Sequence, residues 1–264
     1  RAGEMLLVQV VSYPEPGKAS PVTRRILHKS RTVILTPGAP GVNLSRRIRD
    51  EAERARLLSI AGGARLPEGA GLVFRTLAEG AARERIEADI AEVLAERALC
   101  AGAGEPGRLV ALTAASIARR DWEGAIVEEA GGFEAHGVRD EIERLRAPDT
   151  ALPGGAAMSV EATRALVAVD VNTGPAFSAD AGIKADLAAA RELPRQLRLR
   201  GLGGIVAVDM APMAKKDRRR VEDALKGAFG RDPIETSLAG WTQLGLFELQ
   251  RKRERRPLVE LLRS

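Results

Sequence analysis

Two apolar runs in the second half of the chain have the pattern of buried strands. Both read Val-Ala-Val-Asp; one ends at Asp170 and the other at Asp209. Between them, roughly over residues 183–200, apolar positions recur at helical spacing. A strand, a helix and a second strand of these lengths predict a right-handed crossover that joins two parallel neighbours. Pro194 lies inside the predicted helix and is expected to kink it or to split it in two.

The rest of the chain mixes strand and helix patterns. Runs rich in β-branched and aliphatic residues predict strands over residues 5–11, 31–37 and 71–76. Apolar residues at helical spacing predict helices over residues 44–62, 81–99 and 217–229. Residues 109–146 show no assignable pattern, and the Pro- and Gly-rich residues 147–155 predict a linker. The predicted fold class is therefore α/β, with several subdomains.

Composition narrows the class of protein. The chain has 264 residues, of which 45% are hydrophobic, so it is long enough and apolar enough to fold around a core. Its net charge of +5 favours a polyanionic partner. The single cysteine, Cys100, excludes an internal disulfide and a zinc site made of paired cysteines. With neither a membrane span nor a signal peptide apparent, a cytoplasmic location is expected.

The two strand-end aspartates are the candidate metal ligands. If their strands pair in parallel, Asp170 and Asp209 lie on the carboxyl edge of the sheet, where open α/β sheets bind ligands. Mg²⁺ takes oxygen ligands, keeps several waters and needs only one or two carboxylates beside a substrate phosphate. Asn172 points to the same face as Asp170 and can add an oxygen. The alternative is that each aspartate simply caps the turn that follows it.

Basic residues cluster near the second of these strands. Residues 215–220 read KKDRRR at the start of a predicted helix, whose first amides also favour phosphate. Residues 251–256, RKRERR, are a second basic run in the same half of the chain. These runs are candidates for gripping a nucleic-acid backbone, and the alternative is that they form an ordinary solvated surface.

Three blocks in this half of the chain are similar to a known family. SVEATRALVAVDVNTG, RQLRLRGLGGIVAVDM and LGLFELQRKR resemble, in order and spacing, the nuclease region of ribonucleases E and G. The resemblance implies a DNase I-like nuclease subdomain with a βαβ core over residues 154–264. It further implies that Asp170 and Asp209 bind Mg²⁺ and that Asn172 supports the phosphate under attack.

The first half carries a second resemblance. NLSRRI and LPEGAGLVFRT resemble the sensor subdomain of the same family, which reads a 5′-monophosphate on RNA, so residues 30–108 are expected to form a 5′-sensor-like subdomain. Arg75, Thr76 and Ile34 fall on its phosphate-binding positions. Residues 1–29 look like the remnant of an S1/OB-type RNA-binding barrel, and residues 109–153 like a shortened RNase H-like subdomain. Contact with the RNA backbone is expected from Lys18, Arg46, Arg47, Lys215, Lys216, Arg218, Arg251 and Arg253.

These expectations combine into one functional hypothesis. The resemblance implies a Mg²⁺-dependent endoribonuclease that cleaves single-stranded RNA, such as mRNA, rRNA or tRNA precursors, and favours 5′-monophosphorylated substrates. It also implies a homodimer, and the absence of a CxxC pair implies one without a zinc link. His28 and His136 lie in other segments, so no covalent nucleophile is indicated. Two alternatives remain: a non-catalytic RNA-binding protein on a degenerate nuclease fold, and a βαβ nucleotide-binding enzyme, although the chain lacks both G-x-G-x-x-G and a P-loop.

Overall fold

A computed structural model describes residues 3–14, 17–101, 117–118, 127–175 and 178–263. It is a mixed α/β structure with three sheets and seven α-helices in the described ranges. The chain divides into two compact units, Arg1–Val10 with Val22–Ile126 and Val11–Pro21 with Val127–Ser264. In these ranges no helix is long and apolar enough to cross a membrane.

The first unit is built on a small mixed sheet. An antiparallel pair, β1 (Gln9–Val10) and β2 (Val22–Thr23), precedes it. The sheet has the order β3-β4-β6-β5 and comprises β3 (His28–Lys29), β4 (Val33–Pro37), β5 (Gly41–Leu44) and β6 (Ala70–Phe74). Its helices are α1 (Glu51–Gly63) and α2 (Arg83–Ala101). A 3₁₀ turn, Thr76–Ala78, follows β6.

The core of this unit follows from alternation in the strands and helical spacing in α2. Val33 and Leu35 on β4 are fully buried, and so are Leu72 and Phe74 on β6, because every second residue of a strand points to the same face. The α2 face that the sequence predicts is also buried, through Ile86, Ile90 and Val93.

Two predicted elements in this unit have different bounds. The strand predicted over residues 5–11 is reduced to β1, because β2 offers only two residues to pair with; Met5 is 60% exposed. The helix predicted from residue 44 begins at Glu51, where the Asp50 side chain accepts a hydrogen bond from the Glu53 backbone N–H at 2.7 Å. Residues 41–44 instead form β5, which pairs in parallel with β6.

The second unit contains the larger sheet. Its six strands have the order β11-β12-β10-β9-β8-β7. They are β7 (Asp149–Ala151), β8 (Ala157–Ala162), β9 (Val167–Asn172), β10 (Gly204–Asp209), β11 (Thr236–Trp241) and β12 (Phe247–Arg251). The helices are α3 (Gly132–Ala135), α4 (Val138–Arg146), α5 (Ala179–Leu199), α6 (Arg218–Arg231) and α7 (Leu258–Leu261). The pairing of β9 with β10 is parallel, as predicted, and the other pairings are antiparallel.

One face of this sheet packs on helices. Val169 and Val171 of β9, with Val206 and Val208 of β10, lie in one buried cluster with residues of α5 and α6. The intervening residues point to the other face, where the side chains are exposed or half-buried. The helix prediction over residues 217–229 is confirmed, with its apolar face buried through Val221, Leu225 and Ala228.

Two expectations are revised in this unit. Of the two outcomes predicted at Pro194, a kink or a split of the helix, the split does not occur: α5 is continuous, because a proline removes only one backbone donor and the buried Leu193 and Leu197 hold both halves in the core. The predicted linker over residues 147–155 contains β7, which pairs with β8. The 6%-exposed Arg200 fixes it further by donating to the backbone oxygens of Ala147 at 2.6 Å and Pro148 at 3.2 Å.

Candidate active site

The two Val-Ala-Val-Asp strands bring their aspartates side by side. In the parallel pairing of β9 with β10, Asp170 lies directly opposite Asp209. Neighbouring strands are about 4.8 Å apart, so the two backbones meet at that distance on the same edge of the sheet. Both side chains are exposed. The backbone therefore brings the two aspartates, 39 residues apart in sequence, to neighbouring positions, as the sequence predicts.

The row of facing residues continues across the sheet. Ser159 on β8 lies opposite Asp170, and Asp149 on β7 lies opposite Ser159. The Ser159 hydroxyl donates a hydrogen bond to Asp149 Oδ1. Facing residues on adjacent strands point to the same side of a sheet. The exposed face thus carries a polar row over four strands, of which the sequence predicts only Asp170 and Asp209, the two members on β9 and β10.

Asn172 is placed to orient Asp170. Its side-chain Nδ2 donates a hydrogen bond to Asp170 Oδ2, two residues back along β9 on the same face. Since Nδ2 makes this bond, the carbonyl oxygen Oδ1 of the same amide keeps its capacity to accept a hydrogen bond or to bind a cation. The arrangement suits the predicted role, in which Asn172 acts beside the carboxylates.

The donor set fits a magnesium ion that is completed by its substrate. Within the described part of the chain, no group of three or more His, Cys, Asp or Glu side chains is placed to hold a metal ion. A closed protein cage is thus not formed there. Mg²⁺ does not require one, because it is commonly held by one or two carboxylates together with waters and substrate phosphate. Asp170 and Asp209, with the Asn172 carbonyl beside them, meet that requirement.

A buried carboxyl group lies beneath this edge of the sheet. Asp186 on α5 has no exposed surface, and its Oδ1 accepts a hydrogen bond from the backbone N–H of Ala211 at 2.8 Å. In the described structure its Oδ2 has no hydrogen-bond partner. Burial raises the pKa of Asp186 to about 7, an effect that the bond from Ala211 only partly offsets.

The raised pKa of Asp186 predicts a pH-dependent stability. An acid whose pKa is higher in the folded state stabilises the fold fully below its unfolded pKa, near 3.8, and this stabilisation is lost as pH rises through about 7. The free energy of unfolding of the wild type should therefore fall by roughly 3 kcal/mol relative to Asp186→Asn between about pH 5 and pH 8. Urea denaturation of both proteins across this range measures the difference. If the difference in free energy of unfolding between the two proteins stayed constant over this pH range, the raised pKa of Asp186 would be contradicted.

Basic residues follow β10 at the same edge as Asp209. Lys215 and Lys216 are exposed in a 3₁₀ turn, and Arg218 begins α6. The Arg218 guanidinium lies over the Trp241 ring, 4.7 Å from its centroid. Stacking on an indole restricts a long side chain while leaving its N–H groups free to donate at the edges of the guanidinium. The predicted backbone-binding residues of this segment thus follow β10 in the chain, beyond the strand end that carries Asp209.

Two other predicted RNA contacts, Lys18 and Arg253, lie at the edge of the sheet where β10 begins, opposite to the edge with Asp209. Lys18 and Arg253 line a cavity of about 350 Å³ together with Tyr13 and Lys252. This edge holds the start of β10, since Gly204 pairs with Arg251 at the end of β12. At about 3.3 Å per residue, it is about 17 Å from Asp209 along the strand.

Arg251 is not available to RNA in this structure, which corrects its predicted role. Its side chain is 0% exposed, and Nη2 donates to Asp232 Oδ1 at 2.9 Å. Nη1 donates to the Thr236 hydroxyl at 3.0 Å. The residue alternates with the exposed Gln250 along β12 and therefore points into the core. A basic run in the sequence does not show which of its members face inward.

The predicted sensor residues gather at one edge of the small sheet in the first unit. Arg75 and Thr76 follow the end of β6, and the Thr76 hydroxyl lies 2.9 Å from the Ser45 hydroxyl just beyond β5. Arg46 and Arg47, both exposed, come next in the chain. Arg75 Nη1 donates to the Ser30 backbone oxygen at 2.6 Å. Ile34 is half-buried on β4, facing Val73 of β6.

The histidines and the cysteine each have their own surroundings within their unit. His28 is 2% exposed in the first unit, with Nδ1 3.2 Å from Glu96 Oε1. His136 is exposed and lies 3.0 Å from Glu129. Cys100 is half-buried, and burial raises the pKa of its thiol, which opposes thiolate chemistry. These positions agree with the interpretation of both histidines as an ordinary core and surface residue.

Comparison with known proteins gives a consistent match. The chain matches the model of the ribonuclease E/G family over residues 29–103 and 114–254. It is 31% identical to ribonuclease G of Salmonella typhimurium, an alignment that covers 99% of this chain and 62% of the relative's length. It is 31% identical to ribonuclease E of a Nostoc species over 98% of this chain and 44% of that relative. The chain thus spans less than two thirds of the curated relatives that it matches.

Proposed function

Because the chain belongs to the ribonuclease E/G family, we propose that it is an endoribonuclease that hydrolyses phosphodiester bonds in single-stranded RNA with the help of Mg²⁺. The observation that carries the proposal is the direct pairing of Asp170 with Asp209 at the carboxyl edge of two parallel strands. The name of the matched relatives supports the substrate class, and the carboxylate pair supports the metal.

The proposed chemistry assigns one role to each side chain. Asp170 and Asp209 would hold Mg²⁺, and the chemistry that such an ion supplies when bound is charge stabilisation of the phosphate and a lower pKa of a bound water. The two carboxylates hold the site, and Asn172 fixes the orientation of Asp170 through its hydrogen bond. Attack by water on the phosphorus, with departure of the 3′ oxygen of the upstream nucleotide, leaves a 5′-phosphate on the downstream product. No histidine or cysteine is needed as a nucleophile.

The proposed RNA contacts extend the site in two directions. Lys215, Lys216 and Arg218 would grip the backbone next to the cut, because they lie at the same edge as Asp209. Lys18 and Arg253, about 17 Å away along the sheet, would hold a more distant phosphate. Charge of this kind provides affinity without reading sequence, so mRNA, rRNA and tRNA precursors all remain candidate substrates. A homodimer remains part of the proposal.

A metal titration tests the proposal directly. Single-stranded RNA is incubated with the protein after treatment with a chelator, and Mg²⁺ is then added back. The proposal requires cleavage that depends on Mg²⁺ and products that carry a 5′-phosphate. Binding of RNA that is insensitive to Mg²⁺, with no cleavage at any metal concentration, would instead identify a non-catalytic RNA-binding protein.

Arg75→Ala tests the proposed preference for a 5′-monophosphate. Loss of a charge-assisted hydrogen bond to phosphate costs about 1.5–3 kcal/mol, so cleavage of 5′-monophosphorylated RNA should fall roughly 10- to 100-fold. Cleavage of the 5′-triphosphorylated form should change little. The measurement is kcat/KM on the two RNAs, with Arg83→Ala, on the exposed surface of α2, as the matched control. An equal loss on both substrates would argue against a sensor.

A further inference from the structure

The segment that follows Asp209 rests on helix α5 at two points one helical turn apart. The backbone N–H of Ala211, two residues beyond Asp209, donates to Asp186 Oδ1 at 2.8 Å. At Gly182, an added Cβ would lie 2.3 Å from the Pro212 backbone oxygen, closer than real Cβ contacts allow. Only a glycine therefore lets α5 approach Pro212 this closely, and the two contacts together hold residues 211–212.

A purely structural purpose explains Asp186 poorly. A carboxyl group with no exposed surface and one hydrogen bond costs free energy, because its second oxygen is buried without a partner. Ile183 and Ala189, one turn away from Asp186 on either side along α5, belong to the buried apolar cluster, as does Ala211, so an apolar side chain of similar size would suit this position. A group kept at such a cost has a local task, and here that task is to hold the Ala211 N–H.

The direction of the chain at Ala211 bears on Asp209. Asp209 is the last residue of β10, so only one further residue, Met210, separates it from the tethered Ala211. Its strand neighbour Asp170 is fixed on both sides, by β8 and by β10, and through Asn172. Asp209 is held by the pairing of β10 with β9 on its N-terminal side and, on its C-terminal side, by the contact of Ala211 with α5.

We propose that Asp186 and Gly182 form a seat for residues 211–212 that sets the direction of the Asp209 carboxylate, so that Asp186 is a positioning residue for the metal site. The inference rests on the proposed function, since it assigns Asp209 as a ligand. Partners that orient a metal ligand typically change metal affinity 10- to 100-fold when they are removed.

The test compares three variants in the intact chain. Asp186→Ala removes the acceptor, Gly182→Ala forces Pro212 away while keeping the acceptor, and Asp186→Asn keeps an oxygen at the same position. The first two should raise the Mg²⁺ concentration for half-maximal RNA cleavage about 10- to 100-fold. The third should stay near the wild-type value. Without RNA, the Mg²⁺-induced rise in Tm should weaken in the same two variants, since that rise depends on metal affinity.

A destabilised control separates positioning from stability. Leu225→Ala opens a cavity in the same core and should lower Tm while leaving the Mg²⁺ requirement unchanged. If Asp186→Ala and Gly182→Ala behave like this control, with a lower Tm and the wild-type Mg²⁺ requirement, the inference is wrong although the proposed function stands. If Asp186→Ala does not fold, Gly182→Ala decides by the same readouts. A wild type that shows neither cleavage nor stabilisation with Mg²⁺ overturns both.

Discussion

Replacing either Asp170 or Asp209 by asparagine is expected to reduce RNA cleavage by about 10³-fold, while the fold and the affinity for RNA stay nearly unchanged. The metal contributes several kcal/mol of charge stabilisation to a phosphoryl transition state, and each 1.4 kcal/mol corresponds to a factor of ten in rate. Asparagine has almost the same shape but lacks the charge that holds the cation. Both positions are exposed, so the substitution leaves no buried group unpaired.

The measurement is kcat at saturating Mg²⁺, with RNA affinity measured separately. Glu161→Gln is the matched control, because Glu161 is an exposed carboxylate on β8, facing Ala168 rather than either aspartate. It should keep wild-type activity. Full activity in Asp170→Asn or Asp209→Asn would show that the carboxylate pair does not hold a catalytic metal.

The second large effect is on stability and comes from Asp232, a buried acceptor outside the site. Asp232 Oδ1 accepts a hydrogen bond from Arg251 Nη2 at 2.9 Å, and Oδ2 accepts one from Arg198 Nη1. The side chains of Asp232 and Arg251 are 1% and 0% exposed. Burial lowers the pKa of Arg251, and the negative charge of Asp232 opposes this. Asp232→Ala leaves a buried cation without its partner and should lower the free energy of unfolding by about 3–5 kcal/mol.

Urea denaturation of the wild type and of Asp232→Ala measures this loss in free energy of unfolding. An unchanged m value would show that the substitution alters stability and not the surface exposed on unfolding. Glu143→Ala is a suitable control, because it breaks an exposed pair with Arg146 and should cost no more than about 1 kcal/mol. A loss for Asp232→Ala as small as that of the control would mean that the buried pair contributes little beyond what an apolar core would provide. Cleavage by the folded fraction should be unchanged, since Asp232 is not part of the proposed site.

The central βαβ unit could be predicted from the sequence because its signal is local. Each Val-Ala-Val-Asp run is apolar over its own length, and the helix between them repeats its apolar positions at helical spacing. The parallel pairing follows from the length of the crossover. This also placed Asp170 and Asp209 on one edge. Family membership, first suggested by three sequence blocks, is confirmed by the comparisons.

Features that depend on distant partners were not predictable in the same way. The segment 147–155 has the composition of a linker, and it forms a strand only because β8 pairs with it and Arg200 binds its backbone. The buried position of Arg251 depends on Asp232, 19 residues away. Asp186 is one acid among the polar residues of an amphipathic helix, and only its contact with Ala211 distinguishes it. Metal binding, sensing and the subdomain roles stay predictions.

The in-register row across β7, β8, β9 and β10 makes the position of the acidic residues depend on the correct pairing of the strands. Side chains alternate strictly along a strand, so a slip of one position between β9 and β10 would turn the acids of one strand towards the helices and its valines towards water. The burial of Val169, Val171, Val206 and Val208 penalises that slip. The valines that pack the sheet against the helices therefore also keep the acidic residues aligned at the edge of the sheet. A molecule with a shifted register would lose stability as well as the site.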